Sequence, residues 1–272
     1  MTADLHIHTT ASDGRFSPQE IFDQARRANL NYIAITDHDT IDGLHYFKSI
    51  SNTELTVIPG IELNTDQPGC EVHVLGYGID ICNVQLNDEL TKMTEDRVIR
   101  AQKIINKLTL LGYPVSYNRV LEIAANSRAI GRPHIAKALL EQGYFSTMDE
   151  IFNTLLDTNG PAYIPHYKLS PEGAMQLIAN AGGIHVLAHP GLIGNDDIVR
   201  RLINQGLHGL EVYHPKHTEE QVKTYAEIAE KHGLLITGGS DFHGIPGRFP
   251  VQLGLFTIPS LLADTLVRRL RN

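Results

Sequence analysis

Two histidines one residue apart, His6 and His8, begin a series of imidazoles and carboxylates along the chain. In an extended strand both side chains point to one face, whereas Leu5 and Ile7 point to the other. This is the geometry that a pair of metal ligands needs. The spacing alone is weak evidence, because a chain with 14 histidines contains it by chance, and a strand with two solvent-facing histidines is the alternative.

Similar side chains recur where later strands are predicted to end. The carboxyl ends of the strands in an α/β barrel meet at one mouth, where the active sites of such barrels lie. So many titratable groups are too costly to bury together without compensating cations, and the pattern therefore favours divalent metal ions. The residues are Asp13, Asp37, His38, Asp39, Glu62, His73, His189, His214, Asp241 and His243.

Two carboxylates of this series, Asp37 and Asp39, flank His38. Either could accept a hydrogen bond from the second N–H of a metal-bound imidazole and so orient the ring. Either could equally cap its own loop, as aspartate often does. Both interpretations stay open at the level of sequence.

Short apolar runs alternate with helical patterns over most of the chain, from "ADLHIHT" near the start to "LGLFTI" near the end. Ser17 and Ser170, each followed by proline, are typical helix starts. Strands that alternate with helices predict an α/β fold with a parallel sheet, and their number favours closure into a barrel.

The alternation stops in the middle of the chain, where only helical patterns occur. Apolar residues such as Val98, Ile104 and Leu108 follow helical spacing, and strand patterns resume near "NGPAYIPHYKLSP". We therefore expect an all-helical subdomain over 83–164, inserted into a discontinuous barrel domain formed by 1–82 and 165–272.

Composition excludes several classes of protein. A net charge of −8 with no basic run argues against binding duplex DNA, which needs clustered lysine and arginine. No apolar run reaches the roughly 18 residues that a membrane-spanning helix requires, and no signal-peptide pattern appears at the start, so we expect a cytoplasmic protein. Cys70 and Cys82 are too few for a disulfide framework.

The segment "AIGRPHIAKALL" is a candidate anion site. Arg132 stands at a predicted helix start, with Pro133 and His134 next, so that a guanidinium, an imidazole and free backbone N–H groups come together. An ordinary capped helix with an exposed arginine is the alternative. Lys168, His166 and Arg248 are further candidates for contacts with a phosphorylated substrate.

The motifs "DLHIHTTASDG", "AITDHDT", "PGIEL", "EVHVLGYG", "VLAHPG" and "GSDFH" resemble, in order, those of the polymerase and histidinol phosphatase (PHP) family of metallophosphoesterases. The resemblance implies a distorted (β/α)7 barrel with two or three divalent ions, manganese first, with zinc or iron as alternatives. It places His6, His8, Glu62 and Asp241 on one metal. A second metal would share Glu62 and add His73 and His189, and a third would be held by Asp13, His38 and His243.

The same resemblance implies a hydrolase in which a hydroxide bridging the metals attacks a phosphoester. Asp13, His38, Glu62, Asp241 and His243 would form the catalytic centre. The segments "RPHIA", "YIPH" and "SPEGA" are similar to those of 3′,5′-nucleoside bisphosphate phosphatases, some of which also trim short RNA from its 5′ end. Arg132, His134 and Lys168 would then hold the 5′-phosphate of a small nucleotide or RNA end.

Three other functions stay open. A histidinol-phosphate phosphatase would share the metal centre, but its amine-bearing substrate should need a carboxylate partner. A 5′ to 3′ exonuclease on short RNA is compatible with the same pocket. A non-catalytic accessory module stabilised by metal belongs to a different class. The sequence does not predict the oligomeric state.

Overall fold

A computed structural model describes residues 2–50, 54–67, 70–124, 130–157, 159–165, 167 and 169–271. Lys168 and His166, two of the candidate substrate contacts, lie outside the described residues. The chain divides into two compact units, Met1–Asp88 with Lys168–Asn272 and Glu89–Tyr167. The expected domain boundaries at 83 and 164 stay a prediction.

Eight strands form one sheet within the described residues, in the order β7-β6-β5-β4-β3-β2-β1-β8. Seven of them therefore follow one another in chain order, and the short β8 lies on the other side of β1. The strands are β1 (Thr2–Ile7), β2 (Tyr32–Ile35), β3 (Thr56–Gln67), β4 (Cys70–Tyr77), β5 (Ile184–Leu187), β6 (Gly209–Tyr213), β7 (Leu235–Gly238) and β8 (Ile258–Pro259).

The helices, in chain order, are α1 (Pro18–Arg27), α2 (Val84–Leu110), α3 (Tyr117–Ile123), α4 (Arg132–Glu141), α5 (Met148–Ile151), α6 (Pro171–Asn180), α7 (Asp196–Asn204), α8 (Glu219–His232) and α9 (Ser260–Leu270). Short 3₁₀ helices cover Asp42–Ser49 and Pro190–Leu192, and a π-helical turn covers Phe152–Leu156. Among the described residues, every helix is too short or too polar to cross a membrane.

The sheet curls into a nearly closed barrel, as the sequence predicts. A parallel bridge between Ile7 and Phe242 joins the end of β1 to the segment after β7. The Phe242 N–H donates to the His6 carbonyl at 3.2 Å, and the His8 N–H donates to the Phe242 carbonyl at 2.9 Å. These contacts bring His6 and His8, at the end of β1, next to Asp241 and His243, in the segment after β7.

Besides the short β8, which is antiparallel to β1, one strand, β4, runs against the expected parallel direction. It is antiparallel to both β3 and β5. Only two residues separate β3 from β4, and so short a connection joins antiparallel strands, because a parallel pair needs a long crossover. The reversal places His73, near the start of β4, opposite Asn64 and at the same rim as the carboxyl ends of the parallel strands.

The predicted helix starts at Ser17 and Ser170 are confirmed. The Ser17 side chain accepts from the Glu20 N–H, and Glu20 reaches back to the Ser17 N–H, which forms a capping box. Ser170 caps α6 by accepting from the Gly173 N–H at 3.1 Å. Both helices pack apolar faces against the barrel unit, with Ile21 and Phe22 buried in α1 and Ala174 and Ile178 buried in α6.

The second unit has its own hydrophobic core, built from helices among its described residues. Ile104 and Leu108 from α2, Ile135 and Leu139 from α4, and Leu156 of the π-helical turn are buried together. This cluster corresponds to the helical pattern seen in the sequence.

Candidate metal centre

The candidate ligands converge because their strands end at one rim of the barrel. His6 is the fifth residue of the six in β1 and His8 lies just beyond it, while Glu62 lies on β3 past the last pair with β2. A parallel bridge between His38 and Glu62 continues the ladder at this point. His189 follows β5, and Asp241 and His243 follow β7.

Glu62 is the centre of the cluster. Its side chain is 1% exposed, and its two carboxylate oxygens contact five imidazoles. A single buried carboxylate cannot satisfy five rings as a hydrogen-bond acceptor, so the arrangement points to bridging of cations. The distances are 3.1 Å to His6, 3.2 Å to His8, 3.2 Å to His38, 2.9 Å to His73 and 3.2 Å to His189.

Three groups in this cluster have ligand atoms close enough to hold an ion, all within 4.8 Å of one another. They share members, which is what a multinuclear centre requires. Relative to the expected assignment, His38 rather than His189 joins the group around Glu62 and His73. The groups are His6, His8, Glu62 and Asp241; His8, Asp13, His38 and His243; and His38, Glu62 and His73.

The hydrogen bonding of the buried ring nitrogens indicates whether these residues are suited to bind metal ions. Both ring nitrogens of His8, and Nδ1 of His38, are buried and have no hydrogen-bond partner among the described residues. His8 Nε2 lies 3.2 Å from Glu62 and 3.3 Å from Asp241 without hydrogen-bond geometry. Buried polar atoms are normally paired, so nitrogens that face carboxylates without bonding fit a cation held between them. The mixed nitrogen and oxygen donors suit manganese, iron or zinc.

The pKa shifts of the side chains in the cluster also support metal binding. Burial alone would raise the pKa of Glu62, but the imidazoles of His38 and His6 hold it well below its ordinary value. Burial disfavours the charged His8 ring, yet the carboxylates of Asp241 and Glu62 raise its pKa to about 10. A proton on His8 thus offsets part of the carboxylate charge, and a cation would replace it on binding. The His38 ring differs, because burial lowers its pKa to about 4.

Glu211 supports two of the ligands and was missed by sequence reasoning. It is fully buried in the middle of β6, its Oε1 lies 2.9 Å from His6 Nδ1, and its Oε2 accepts from the His189 N–H at 2.8 Å. A carboxylate on the far nitrogen of a metal-binding imidazole fixes the ring and increases its basicity. The available signal was a lone glutamate in the otherwise apolar run "GLEVY".

Asp37 caps a loop, which was one of its two interpretations. Its carboxylate accepts from the Thr9 N–H at 2.7 Å, from the Thr9 hydroxyl at 2.8 Å and from the Ser12 hydroxyl at 2.6 Å. Asp39 accepts from both the backbone and the side-chain amide of Asn64, at 2.9 and 2.8 Å. The two aspartates therefore fix the loops that follow β1 and β2.

Two candidate ligands adopt left-handed backbone conformations. His189 has φ of 28° and Asp241 has φ of 52°. Such values are uncommon outside glycine and cost energy that the surrounding structure must supply. At both positions the unusual turn lies directly after a short strand, and it redirects the side chain towards Glu62 or His8.

Gly239 holds the backbone of β1 close to the segment that follows β7. A Cβ atom at this position would lie 2.4 Å from both Cβ and the backbone nitrogen of His6. Gly239→Ala is therefore expected to displace His6 and to lower metal affinity, with a loss of stability on the order of 1–3 kcal/mol from overpacking. Metal titration and urea unfolding of the variant measure both effects. Wild-type affinity in Gly239→Ala would contradict this role.

A cavity of about 320 Å³ opens over the cluster. Its wall combines the candidate ligands with two cationic side chains, Lys216 and Arg248, one further carboxylate, Glu71, and one apolar residue, Leu192. The Arg248 guanidinium donates to Asp241 Oδ2 at 2.6 Å. A polar cavity with cations beside buried carboxylates and imidazoles is suited to a phosphate ester.

The residues expected to form the catalytic centre differ in exposure. Glu62 and His243 are buried, whereas the Asp13 side chain is 54% exposed and lies 3.2 Å from His243 Nε2. His214, one of the titratable residues predicted at the strand ends, does not line the cavity. Its Nδ1 accepts from the Lys216 N–H at 3.2 Å, and its Nε2 lies 3.6 Å from Asp241 without a hydrogen bond.

The predicted substrate residues of the helical unit stand at the start of α4. Arg132 is the first helical residue, and its Nη1 donates to the Leu156 carbonyl at 3.0 Å. The Gly131 N–H donates to Nδ1 of His134 at 3.0 Å, so this imidazole caps its own helix. Arg132 and His134 are thus adjacent, while Lys168 lies outside the described residues.

The chain is similar in sequence to a known protein family and to several proteins of named activity. The family model of the PHP domain matches residues 4–237. A 5′-3′ exoribonuclease Rnm from Salmonella typhimurium is 34% identical, covering 88% of this chain and 84% of its own. A 3′,5′-nucleoside bisphosphate phosphatase from Chromobacterium violaceum is 32% identical, covering 90% and 87%.

A third relative is named for a different phosphoester. Phosphoribosyl 1,2-cyclic phosphate 1,2-diphosphodiesterase from Eggerthella lenta is 31% identical, covering 92% of this chain and 97% of its own. Among solved structures, a protein assigned as a metal-dependent phosphoesterase from Bifidobacterium adolescentis superposes with a TM-score of 0.82 at 30% identity, covering 98% and 96%. All four proteins are similar over nearly their whole length, although the three named activities differ.

Proposed function

Because the chain belongs to the PHP family and is a metal-dependent phosphoesterase, we propose that it removes the 3′-phosphate from nucleoside 3′,5′-bisphosphates. The observation that carries the proposal is the set of three overlapping ligand groups, two of which contain Glu62, at a cavity that Lys216 and Arg248 also line. His6, His8, Asp13, His38, Glu62, His73, His189, Asp241 and His243 would hold two or three divalent ions, with manganese as the proposed metal.

Divalent ions bound in such a cluster make a water molecule nucleophilic near neutral pH and neutralise charge on phosphate oxygens. In the proposed reaction water attacks phosphorus, the bond from phosphorus to O3′ breaks, and the leaving oxygen takes up a proton. Lys216 and Arg248 line the cavity and are placed to bind non-bridging phosphate oxygens.

The helical unit would supply the contacts that distinguish a bisphosphate from a monophosphate. Arg132, His134 and Lys168 are the proposed contacts for the 5′-phosphate. An arginine at a helix start combines a forked donor with free backbone N–H groups, a combination that suits phosphate.

A second candidate activity is 5′ to 3′ exoribonuclease action on short RNA. The bond between phosphorus and O3′ is the same in a 5′-phosphorylated RNA end as in a nucleoside 3′,5′-bisphosphate. The exoribonuclease relative, at 34% identity, favours this activity. The cytoplasmic location stays a prediction.

Phosphate release by the purified chain with added manganese tests the proposal. Adenosine 3′,5′-bisphosphate, adenosine 3′-monophosphate, histidinol phosphate, phosphoribosyl 1,2-cyclic phosphate and a short 5′-phosphorylated RNA are compared at equal concentration. We expect the bisphosphate to give the highest kcat/KM, with adenosine 5′-monophosphate as its product. A higher kcat/KM with histidinol phosphate or the cyclic ester would overturn the proposed substrate.

A further inference from the structure

The turn that carries His189 into the cluster is held by side chains from the segment after β6. His189 has left-handed backbone angles, with φ of 28° and ψ of 59°, and the short 3₁₀ helix Pro190–Leu192 follows it. Within this turn both backbone groups of Gly191 are bound. The Gly191 N–H donates to Nε2 of His217 at 3.1 Å, and the side-chain amide of Gln221 donates to the Gly191 carbonyl at 3.0 Å. The peptide groups on either side of Gly191 therefore have fixed orientations.

Both nitrogens of the His217 ring are used, and their partners define its tautomer. Nδ1 lies 2.8 Å from the Val212 carbonyl oxygen, which can only accept, so Nδ1 is assigned the proton. Nε2 faces the Gly191 N–H, which can only donate, so Nε2 is assigned as unprotonated. The neutral ring thus links β6 to the turn that follows β5.

Ordinary capping of a short helix does not by itself explain this arrangement. The turn lies close to solvent, since Leu192 is 45% exposed, so water could satisfy the backbone groups of Gly191. Ordering two long side chains for that purpose costs conformational entropy. The approach is also close enough to require glycine, because a Cβ atom on Gly191 would lie 2.8 Å from Cδ2 of His217 and 2.8 Å from Nε2 of Gln221. Both observations indicate that the position of the turn matters.

We infer that His217 is a positioning residue that keeps the His189 imidazole in place as a metal ligand. Glu211 fixes the N–H of His189, on the near side of the unusual backbone conformation, and His217 with Gln221 fixes the peptides beyond it. The left-handed conformation, which is costly for a histidine, is then held from both sides, with Nε2 of His189 at 3.2 Å from Glu62. The inference rests on the metal-binding part of the proposed function and not on the identity of the substrate.

Two substitutions of His217 each retain one of its two hydrogen bonds. In His217→Gln the amide oxygen can take the place of Nε2 and accept from the Gly191 N–H. In His217→Asn the shorter amide can reach only the position of Nδ1 and donate to the Val212 carbonyl. Manganese affinity, measured by titration with electron paramagnetic resonance of the free ion, should fall about tenfold for at least one ion in His217→Asn and stay within about threefold in His217→Gln.

Two further variants complete the experiment. Gln221→Glu removes the donor to the Gly191 carbonyl but keeps an oxygen that can accept from the Thr218 N–H at the start of α8, so it should also weaken manganese binding. It decides in place of His217→Asn if that variant does not fold. His208→Asn is the matched control and should bind manganese like the wild type, because His208 stacks on His185, with ring centroids 3.7 Å apart, instead of contacting the turn.

Each outcome has a definite meaning for the inference. Wild-type affinity in His217→Asn, an equal loss in His217→Gln, or the same loss in His208→Asn would overturn it. Wild-type affinity in Gln221→Glu would do so where that variant decides. A wild type that binds manganese but hydrolyses no nucleotide would remove the proposed substrate and leave the inference standing. A wild type that binds no manganese would overturn both.

Discussion

Glu62→Gln should abolish phosphoester hydrolysis with the chain otherwise folded. Replacing a group that only orients a metal ligand costs about 10- to 100-fold, so replacing a carboxylate shared by two candidate ion sites should cost on the order of 1,000-fold or more in kcat. Glutamine has the same shape but has no negative charge to balance two cations. Steady-state rates and metal content per chain measure the effect together.

Glu211→Gln is the graded comparison, because Glu211 contacts the His6 ring and the His189 backbone instead of belonging to a ligand group. Its loss should lie within the range of about 10- to 100-fold, with most of the metal retained at saturating manganese. Circular dichroism would establish that both variants are folded. A Glu62→Gln variant that keeps its metals and hydrolyses the bisphosphate at a wild-type rate would contradict the role given to Glu62.

Manganese should raise the melting temperature of the metal-free chain substantially. Without ions, five imidazoles surround the buried Glu62 carboxylate, and ring nitrogens of His8 and His38 stay buried without a hydrogen-bond partner among the described residues. An ion at about 100 times its dissociation constant stabilises the folded state by about 2.7 kcal/mol. For a chain of this size we therefore expect an increase of roughly 5–10 °C, measured by calorimetry after dialysis against a chelator.

The control is Glu62→Gln, in which the same addition of manganese should give a much smaller increase. An unchanged melting temperature in the wild type would contradict metal binding. A large increase without turnover of any phosphoester would instead favour the non-catalytic alternative, in which the ions serve only to stabilise the fold.

The metal-binding rim of the barrel could be predicted from the sequence, because the candidate ligands lie where the predicted strands end. The pair of His6 and His8 stands far in the chain from Glu62 and from Asp241, and each of the three sites lies in or just after an apolar run that becomes a barrel strand. Parallel strands present their carboxyl ends together, so the direction of the chain was enough to bring these residues to one edge.

The reversed strand β4 required information that the alternation of strands and helices does not contain. His73 was expected at the end of a parallel strand but lies near the start of an antiparallel one. The missing helix between β3 and β4 was the available signal, because two residues cannot form a parallel crossover. His73 would lie at this rim whether it ended a parallel strand or began an antiparallel one. Its position was therefore predicted correctly although the direction of β4 was not.

The hardest residues to predict were those whose roles depend on partners distant in the sequence. Glu211 lies within β6, and its importance comes from a neighbour distant in sequence, His6. The interpretation of Asp37 likewise depended on where the Thr9 and Ser12 hydroxyls would lie. The periodicity of apolar residues indicates which face of a strand or helix is buried. It does not indicate which side chains from distant parts of the sequence contact that face.

Anomalous diffraction at the manganese edge, from crystals grown with excess manganese, tests the central claim most directly. We predict two or three peaks within coordination distance of Glu62, His8 and His38, with His6, His73 and Asp241 as further ligands. A rim without any peak, with the Glu62 carboxylate still hydrogen-bonded to protonated imidazoles, would contradict it.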